Sequence, residues 1–417
     1  MTTTRPSSPR QTATLNLAAC KLSCTLVLLC LALPLAAPAQ TFTSLVAFDQ
    51  TDGANPYGTL AQYIDGSYYG TTQFGGANGQ GTVYHVTPQG ALTTLYSFCS
   101  LPNCTDSGQP FAGLQLGFDG NFYGTTPNTV FKINTGGQLT TLYTFCSLPN
   151  CADGDNTYGA LLEAPGGNFY GTTSSGGGVQ TFECQGGCGT VFKMTVSGAL
   201  TTLYSFHGKD GYGPVATLAL GTDGNFYGTT PRGGAHGFGT VFRITPAGAL
   251  TLLHSFGGAD GSAPYGRLVQ ATDGNFYGTT TAGGAFGYGA AFKMTPAGKF
   301  TLLRSFNFTN GATPYAGLVQ GSDGNLYGTT YAGGSGQGNC PNISACGTIF
   351  RLTQSGQLTT LYNFCPQSGC TAGGAPFAAL ALGVDGTLYG TTVLGGSTAC
   401  GADGFCGTIF RLSLVSP

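Results

Sequence analysis

The chain has 417 residues, of which 7% are charged, 41% are hydrophobic and 72 are glycine, with no Trp. An ordinary soluble chain carries about 25% charged residues, so this one lacks the basic excess that a nucleic-acid binder needs to neutralise phosphates. The hydrophobic content excludes disorder, and the glycine content excludes a helix bundle.

Residues 1–39 read as a secretory signal peptide. Arg5, Arg10 and Lys21 make a basic start, Leu22 to Leu35 an apolar run, and Ala37-Pro38-Ala39 a cleavage site before Gln40. Ser23, Thr25 and Pro34 interrupt the run, which is shorter than the ~20 residues a membrane span needs. The mature chain is therefore expected to carry no span and to be extracellular or periplasmic. Cleavage near Ala39 leaves 11 basic and 16 acidic side chains, a net charge of −5.

From Gln40 onward the sequence repeats itself. Tyr-Gly-Thr-Thr begins at Tyr69, Tyr123, Tyr170, Tyr227, Tyr277, Tyr327 and Tyr389, a period of about 53 residues. Gly-Thr-Val-Phe and its variants begin at Gly81, Asn128, Gly189, Gly239, Gly289, Gly347 and Gly407. A Leu-Tyr-Ser-Phe-like motif begins at Leu45, Leu95, Leu142, Leu203, Leu253, Leu303 and Leu361.

Each unit reads as four short strands, a to d. Asp-Gly stands between a and b at Asp65, Asp119, Asp223, Asp273, Asp323 and Asp385, with Gly166-Gly167 in the remaining unit. Such a dipeptide predicts a hairpin in which both central residues take positive φ. A glycine between c and d, at Gly90, Gly137, Gly198, Gly248, Gly298 and Gly356, predicts a second tight turn. Seven such units make an all-β, seven-bladed β-propeller over residues 40–417. Thr41 to Phe48 looks like a lone strand d, and the chain stops after a strand c near Arg411-Leu412, so the ring is expected to close by the first strand joining the last blade.

The motifs Gly-Thr-Val-Phe-Lys/Arg-Ile-Thr-Pro, Leu-Tyr-Ser-Phe and Asp-Gly-Asn-Phe-Tyr-Gly-Thr-Thr resemble the bacterial GloVer tandem-repeat family over residues 41–412. That resemblance implies a secreted protein of a kind that carries one of several C-terminal anchors, and it brings no established catalytic residues. The ending Ser416-Pro417 has no apolar or basic tail, so anchoring by that route is not expected.

Twelve cysteines follow residue 39 as close pairs: Cys99 with Cys104, Cys146 with Cys151, Cys184 with Cys188, Cys340 with Cys346, Cys365 with Cys370, and Cys400 with Cys406. In an exported chain these read as six disulfides. None has Cys-x-x-Cys spacing and only four His exist, so a zinc site is not expected.

A single reaction centre should show itself in residues that break the repeat. Of the acids, only Asp49, Asp155, Glu163, Glu183 and Asp403 do so. The regular bases Lys132, Lys193, Arg243, Lys293, Arg351 and Arg411, with His85, read as strand residues rather than a cationic ring. The seven Tyr of Tyr-Gly-Thr-Thr read as packing between blades. The preferred reading is a non-catalytic binding or scaffold protein, monomeric, with a glycan or extracellular protein as partner and no cofactor. The alternative is a carbohydrate-active hydrolase or lyase using Asp155, Glu163, Glu183 or Asp403.

All length variation and all cysteine pairs fall in the b–c and d–a connections, which share one face and are where binding is expected. The candidates there are the aromatics Phe182, Phe238, Phe286, Tyr288 and Phe405, and the acids Asp52, Asp106, Asp153, Asp210 and Asp260. The acids read first as Asx-turns leading into strand a, and second as a Ca²⁺ or sugar-hydroxyl site.

Overall fold

A computed structural model describes residues 1–2, 40–335, 346–365, 370–397, 400 and 406–414. The signal-peptide reading therefore lies almost wholly outside the described residues. Residues 40–414 form one compact unit of seven four-stranded antiparallel sheets, the blades of a propeller. Blade 4 is typical, with strand a at Ala219–Leu220, b at Phe226–Thr230, c at Thr240–Ile244 and d at Leu250–Ser255. In blade 7 strands a, b and c are Ala381–Leu382, Leu388–Thr392 and Thr408–Ser413, and the fourth strand is Thr41–Ala47, paired antiparallel with Thr408–Ser413. The expected closure is thus the observed one. Among the described residues no helix is long and apolar enough to cross a membrane.

The a–b turns differ from the expectation in one respect. Only the glycine of each Asp-Gly is left-handed, for example Gly224 at φ 78°, while Asp223 is not. Asp223 instead accepts the Asn225 N–H at 3.1 Å, an Asx link that stabilises a three-residue loop ending in a glycine bulge. Both residues are left-handed only at Gly166-Gly167, where neither has a Cβ to oppose it.

Tyr-Gly-Thr-Thr is the joint between blades. The Tyr227 ring stacks on Phe276 of blade 5 with centroids 3.9 Å apart, and Tyr69, Tyr123 and Tyr170 meet Phe122, Phe169 and Phe226 at 4.1 Å each. Gly228 leaves room for the Phe242 ring, which a Cβ there would strike. The first Thr reaches the next blade: Thr71 donates to the Ala112 carbonyl at 2.7 Å, Thr279 to Ala316 at 2.9 Å, and Thr391 to Pro56 at 2.9 Å across the closing seam. The second Thr stays within its blade, Thr230 and Thr240 sharing a hydrogen bond of 2.8 Å.

A second joint uses the c–d turns. Strand d carries a β-bulge, with Leu203 the unpaired extra residue of blade 3, which frees its carbonyl. Gly248 of blade 4 sits at φ 91° against it, and a Cβ at that position would lie 2.6 Å from the Leu203 oxygen. Only glycine satisfies both the turn and the approach.

Candidate functional site

Each blade begins before its strand a with an extended segment of alternating exposure. In blade 5, Pro264, Gly266 and Leu268 are buried, Tyr265 is half-buried and Arg267 is exposed. A period of two places residues 265 and 267 on the axis side. Seven such segments line a central cavity of about 290 Å³ with two tiers. The first tier is Tyr57, Phe111, Tyr158, Val215, Tyr265, Tyr315 and Phe377; the second is Thr59, Gly113, Ala160, Thr217, Arg267, Gly317 and Ala379. The first threonine of each Tyr-Gly-Thr-Thr fixes these segments by bonding their carbonyls, as Thr229 does to Gly266 and Thr329 to Ala378.

The aromatic rings form an arc. Tyr158 meets Phe111 at 5.5 Å, Phe111 stacks on Tyr57 at 4.5 Å, and Tyr57 meets Phe377 at 5.1 Å. Phe377 stacks on Tyr315 at 4.5 Å, and Tyr315 meets Tyr265 at 5.4 Å. Val215 breaks the arc between Tyr158 and Tyr265. At that gap a second cavity of about 420 Å³ opens toward the loop face, lined by Tyr158, Val215 and Tyr265 together with Glu183, Arg232, Tyr212 and Ser175. A third, of about 540 Å³, adjoins Tyr158 where the b–c connection is shortest, lined by Gln80, Gln109, Asn128 and Asn156.

Arg267 is the one charged residue lining the central cavity. Its side chain is exposed to the channel, and desolvation by the channel walls pulls the guanidinium below its ordinary value. Arginine is a cation at neutral pH. Among the described residues it has no ion pair and no hydrogen-bond partner. Its stem needs Gly317: a Cβ there would lie 2.5 Å from the Arg267 Cγ.

The expected site residues are distributed differently. Phe182, Phe286, Phe238 and Tyr288 are exposed, at 94, 59, 43 and 41%, and none lines the channel or the two clefts. Tyr288 leans on Phe308, centroids 5.3 Å apart. Phe405 and Asp403 lie outside the described residues.

The loop acids serve their own loops. Asp106 is buried and accepts from the Tyr96 hydroxyl at 2.7 Å and from the N–H groups of Ser100 and Leu101. Asp153 is buried and accepts from Tyr143, Ser147 and Leu148. Asp210 accepts from the Tyr204 hydroxyl, Asp260 pairs with His254 Nε2 at 2.8 Å, and Asp52 accepts the Asp49 N–H.

Among the described residues, Glu163 and Glu183 do not converge. Glu163 accepts the Phe118 N–H at 2.8 Å near the a–b turns, whereas Glu183 lines the cleft on the opposite face. Asp155 bonds its neighbour Asn156. Five of the expected disulfides are formed among the described residues, and the Cys340–Cys346 pair is described only at Cys346.

The seven regular tyrosines are buried packing residues. Of the regular bases, Lys293 pairs near the a–b turns, its Nζ 3.1 Å from Asp273. Arg267 is not among the residues expected from the sequence, where the irregular candidates are all acids. Its signal is nonetheless present in the sequence, as one charge among Thr, Gly and Ala at the same place in the other units.

Two solved structures share the fold along the chain. A streptogramin B lyase has a TM-score of 0.60 and 15% identity, covering 91% of this chain and 99% of its own. A virginiamycin B lyase from Staphylococcus aureus has a TM-score of 0.60 and 18% identity, covering 90 and 100%. At such identities the likeness shows the fold alone. No curated protein matches the sequence. The Gloeobacter/Verrucomicrobia repeat, in contrast, matches at residues 34–184, 101–285 and 178–410, and the chain belongs to that repeat family.

Proposed function

We propose that this chain is an exported, non-catalytic binding propeller that receives its ligand at the channel mouth on the loop face. The observation that carries the reading is the aromatic arc broken at Val215, which joins an apolar channel to a polar cleft. Concave apolar sites with a few polar groups at their rim are where ligands bind. Export is supported by the close cysteine pairs, since disulfides persist in oxidising compartments. A monomer whose loop face meets a glycan or another extracellular protein is the working form of this reading. The separation of Glu163 from Glu183 speaks against these two acting as the carboxylate pair of a hydrolase. The lyase names of the two fold neighbours belong to those proteins and carry no reaction to this chain.

Thermal-shift screening of the purified chain against small molecules, glycans and extracellular proteins tests the proposal. At least one stabilising ligand is expected, with its effect lost in Tyr158→Ala and no product released. Turnover that Glu183→Gln abolishes would refute the non-catalytic reading. A ligand whose binding ignores Tyr158→Ala would displace the site.

A further inference from the structure

We propose that the channel binds a small organic anion, its flat apolar body among the aromatic rings and its carboxylate or sulfonate on Arg267. The inference rests on the channel-mouth reading above and deepens it by naming the chemistry of the occupant.

Charge gives the first argument. Arg267 is the single charged residue of the central cavity, and no acid, hydroxyl or carbonyl among the described residues pairs with it. An unpaired guanidinium exposed in an otherwise apolar channel is free to take an incoming anion as its counter-ion. The planar guanidinium matches a carboxylate through two parallel hydrogen bonds.

Position gives the second. The ring needs no arginine to close, since the same place holds Thr59, Gly113, Ala160, Thr217, Gly317 and Ala379 in the other blades. Gly317 supplies the space that the Arg267 stem occupies. A charge introduced at one seventh of a repeating wall, with room made for it next door, does not serve the scaffold.

The third argument selects an apolar body over a sugar. Apart from Arg267 and the tyrosine hydroxyls, the polar side chains facing the cavity are Thr59 and Thr217. A sugar would leave several hydroxyls unpaired there, each at a desolvation cost. A flat hydrocarbon has no such need and finds Tyr57, Phe111, Tyr158 and Phe377 half-buried, with ring surface to offer.

The experiment is calorimetric titration of the purified chain with 2-naphthoate, with its neutral analogue 2-naphthylmethanol, and with glucuronate. The expected result is one site for naphthoate, roughly tenfold or more tighter than for the alcohol, and weaker binding of glucuronate. Arg267→Met should bring acid and alcohol to within about twofold, Arg267→Lys should keep part of the preference, and Phe111→Ala should weaken both, with unchanged circular dichroism throughout. Equal binding of acid and alcohol, both sensitive to Phe111→Ala, overturns the anion assignment and leaves the channel reading standing. A preference for glucuronate overturns the apolar body. Binding of naphthoate that ignores both Phe111→Ala and Arg267→Met overturns the inference and the channel reading together.

Discussion

The Tyr227 ring lies 3.9 Å from Phe276 of the next blade while its hydroxyl donates to Asp223 of its own blade at 2.8 Å. One side chain therefore couples a turn, a strand and an interface. Tyr227→Phe keeps the stack and loses the hydrogen bond, at an expected cost of about 1–2 kcal/mol. Tyr227→Ala loses both and opens a void between blades, at about 3–5 kcal/mol. Urea unfolding of the two variants checks the ranking.

Blade 1 carries the opposite kind of residue. Tyr84 stands where the other blades have Phe or its equivalent in Gly-Thr-Val-Phe, and its fully buried hydroxyl has no hydrogen-bond partner. Burial pushes that phenol far above its ordinary value. Tyr84→Phe is expected to raise stability by about 1–2 kcal/mol, because it deletes an unsatisfied polar group and leaves the ring in place. A melting temperature that falls instead would show that the hydroxyl is used.

The a–b turns set an acid limit. Burial raises the Asp273 carboxyl, but donation from Asn275, Tyr277 and Lys293 outweighs it, and the group comes down to about 2 from 3.8. Asp223 and Asp323 are lowered for the same reasons, apart from the lysine. A folded-state value below the unfolded one stabilises the protein above about pH 4 and loses that contribution as pH falls toward 2. The melting temperature should hold down to about pH 4 and then drop. In Asp273→Asn the drop should be shallower, starting from a lower value at neutral pH.

The cysteine pairs stiffen loops more than they hold the ring. Each closes only a handful of residues, worth about 2 kcal/mol at most on chain entropy. Replacing Cys184 and Cys188 by Ser should leave the circular dichroism of the propeller unchanged. Limited proteolysis should then cut first within residues 174–188, beside the cleft lined by Glu183.

The blades were legible because their constraints are local: an Asp-Gly turn, a glycine that admits a phenylalanine, a threonine at a fixed offset. The closing strand was legible for the same reason, as Thr41–Ala47 has the pattern of a strand d. The channel was not. Tyr57, Phe111, Tyr158, Tyr265, Tyr315 and Phe377 look like ordinary residues after a Pro or Thr, and only the ring brings residues more than 300 positions apart into one wall. Phe182 and Phe286, conspicuous in glycine-rich loops, instead stand away from it. Arg267 is one of five bases that occur once at their place in the repeat, with Lys209, Arg232, Lys299 and Arg304, and only the ring shows that it alone lines the channel.

The seam in blade 7 gives the ring a direction in time. Of the propeller strands, Thr41–Ala47 emerges first from any exit that delivers the chain from its N-terminus, and its partner Thr408–Ser413 is the last of them to follow. Until then the leading strand is a bare edge and blade 1 has no neighbour behind it, so the channel has a missing wall. Contacts between chain ends form slowly and leave such edges open to wrong partners. A truncated copy would thus be more than a shorter propeller: it would be an unlatched one, with no closed pocket.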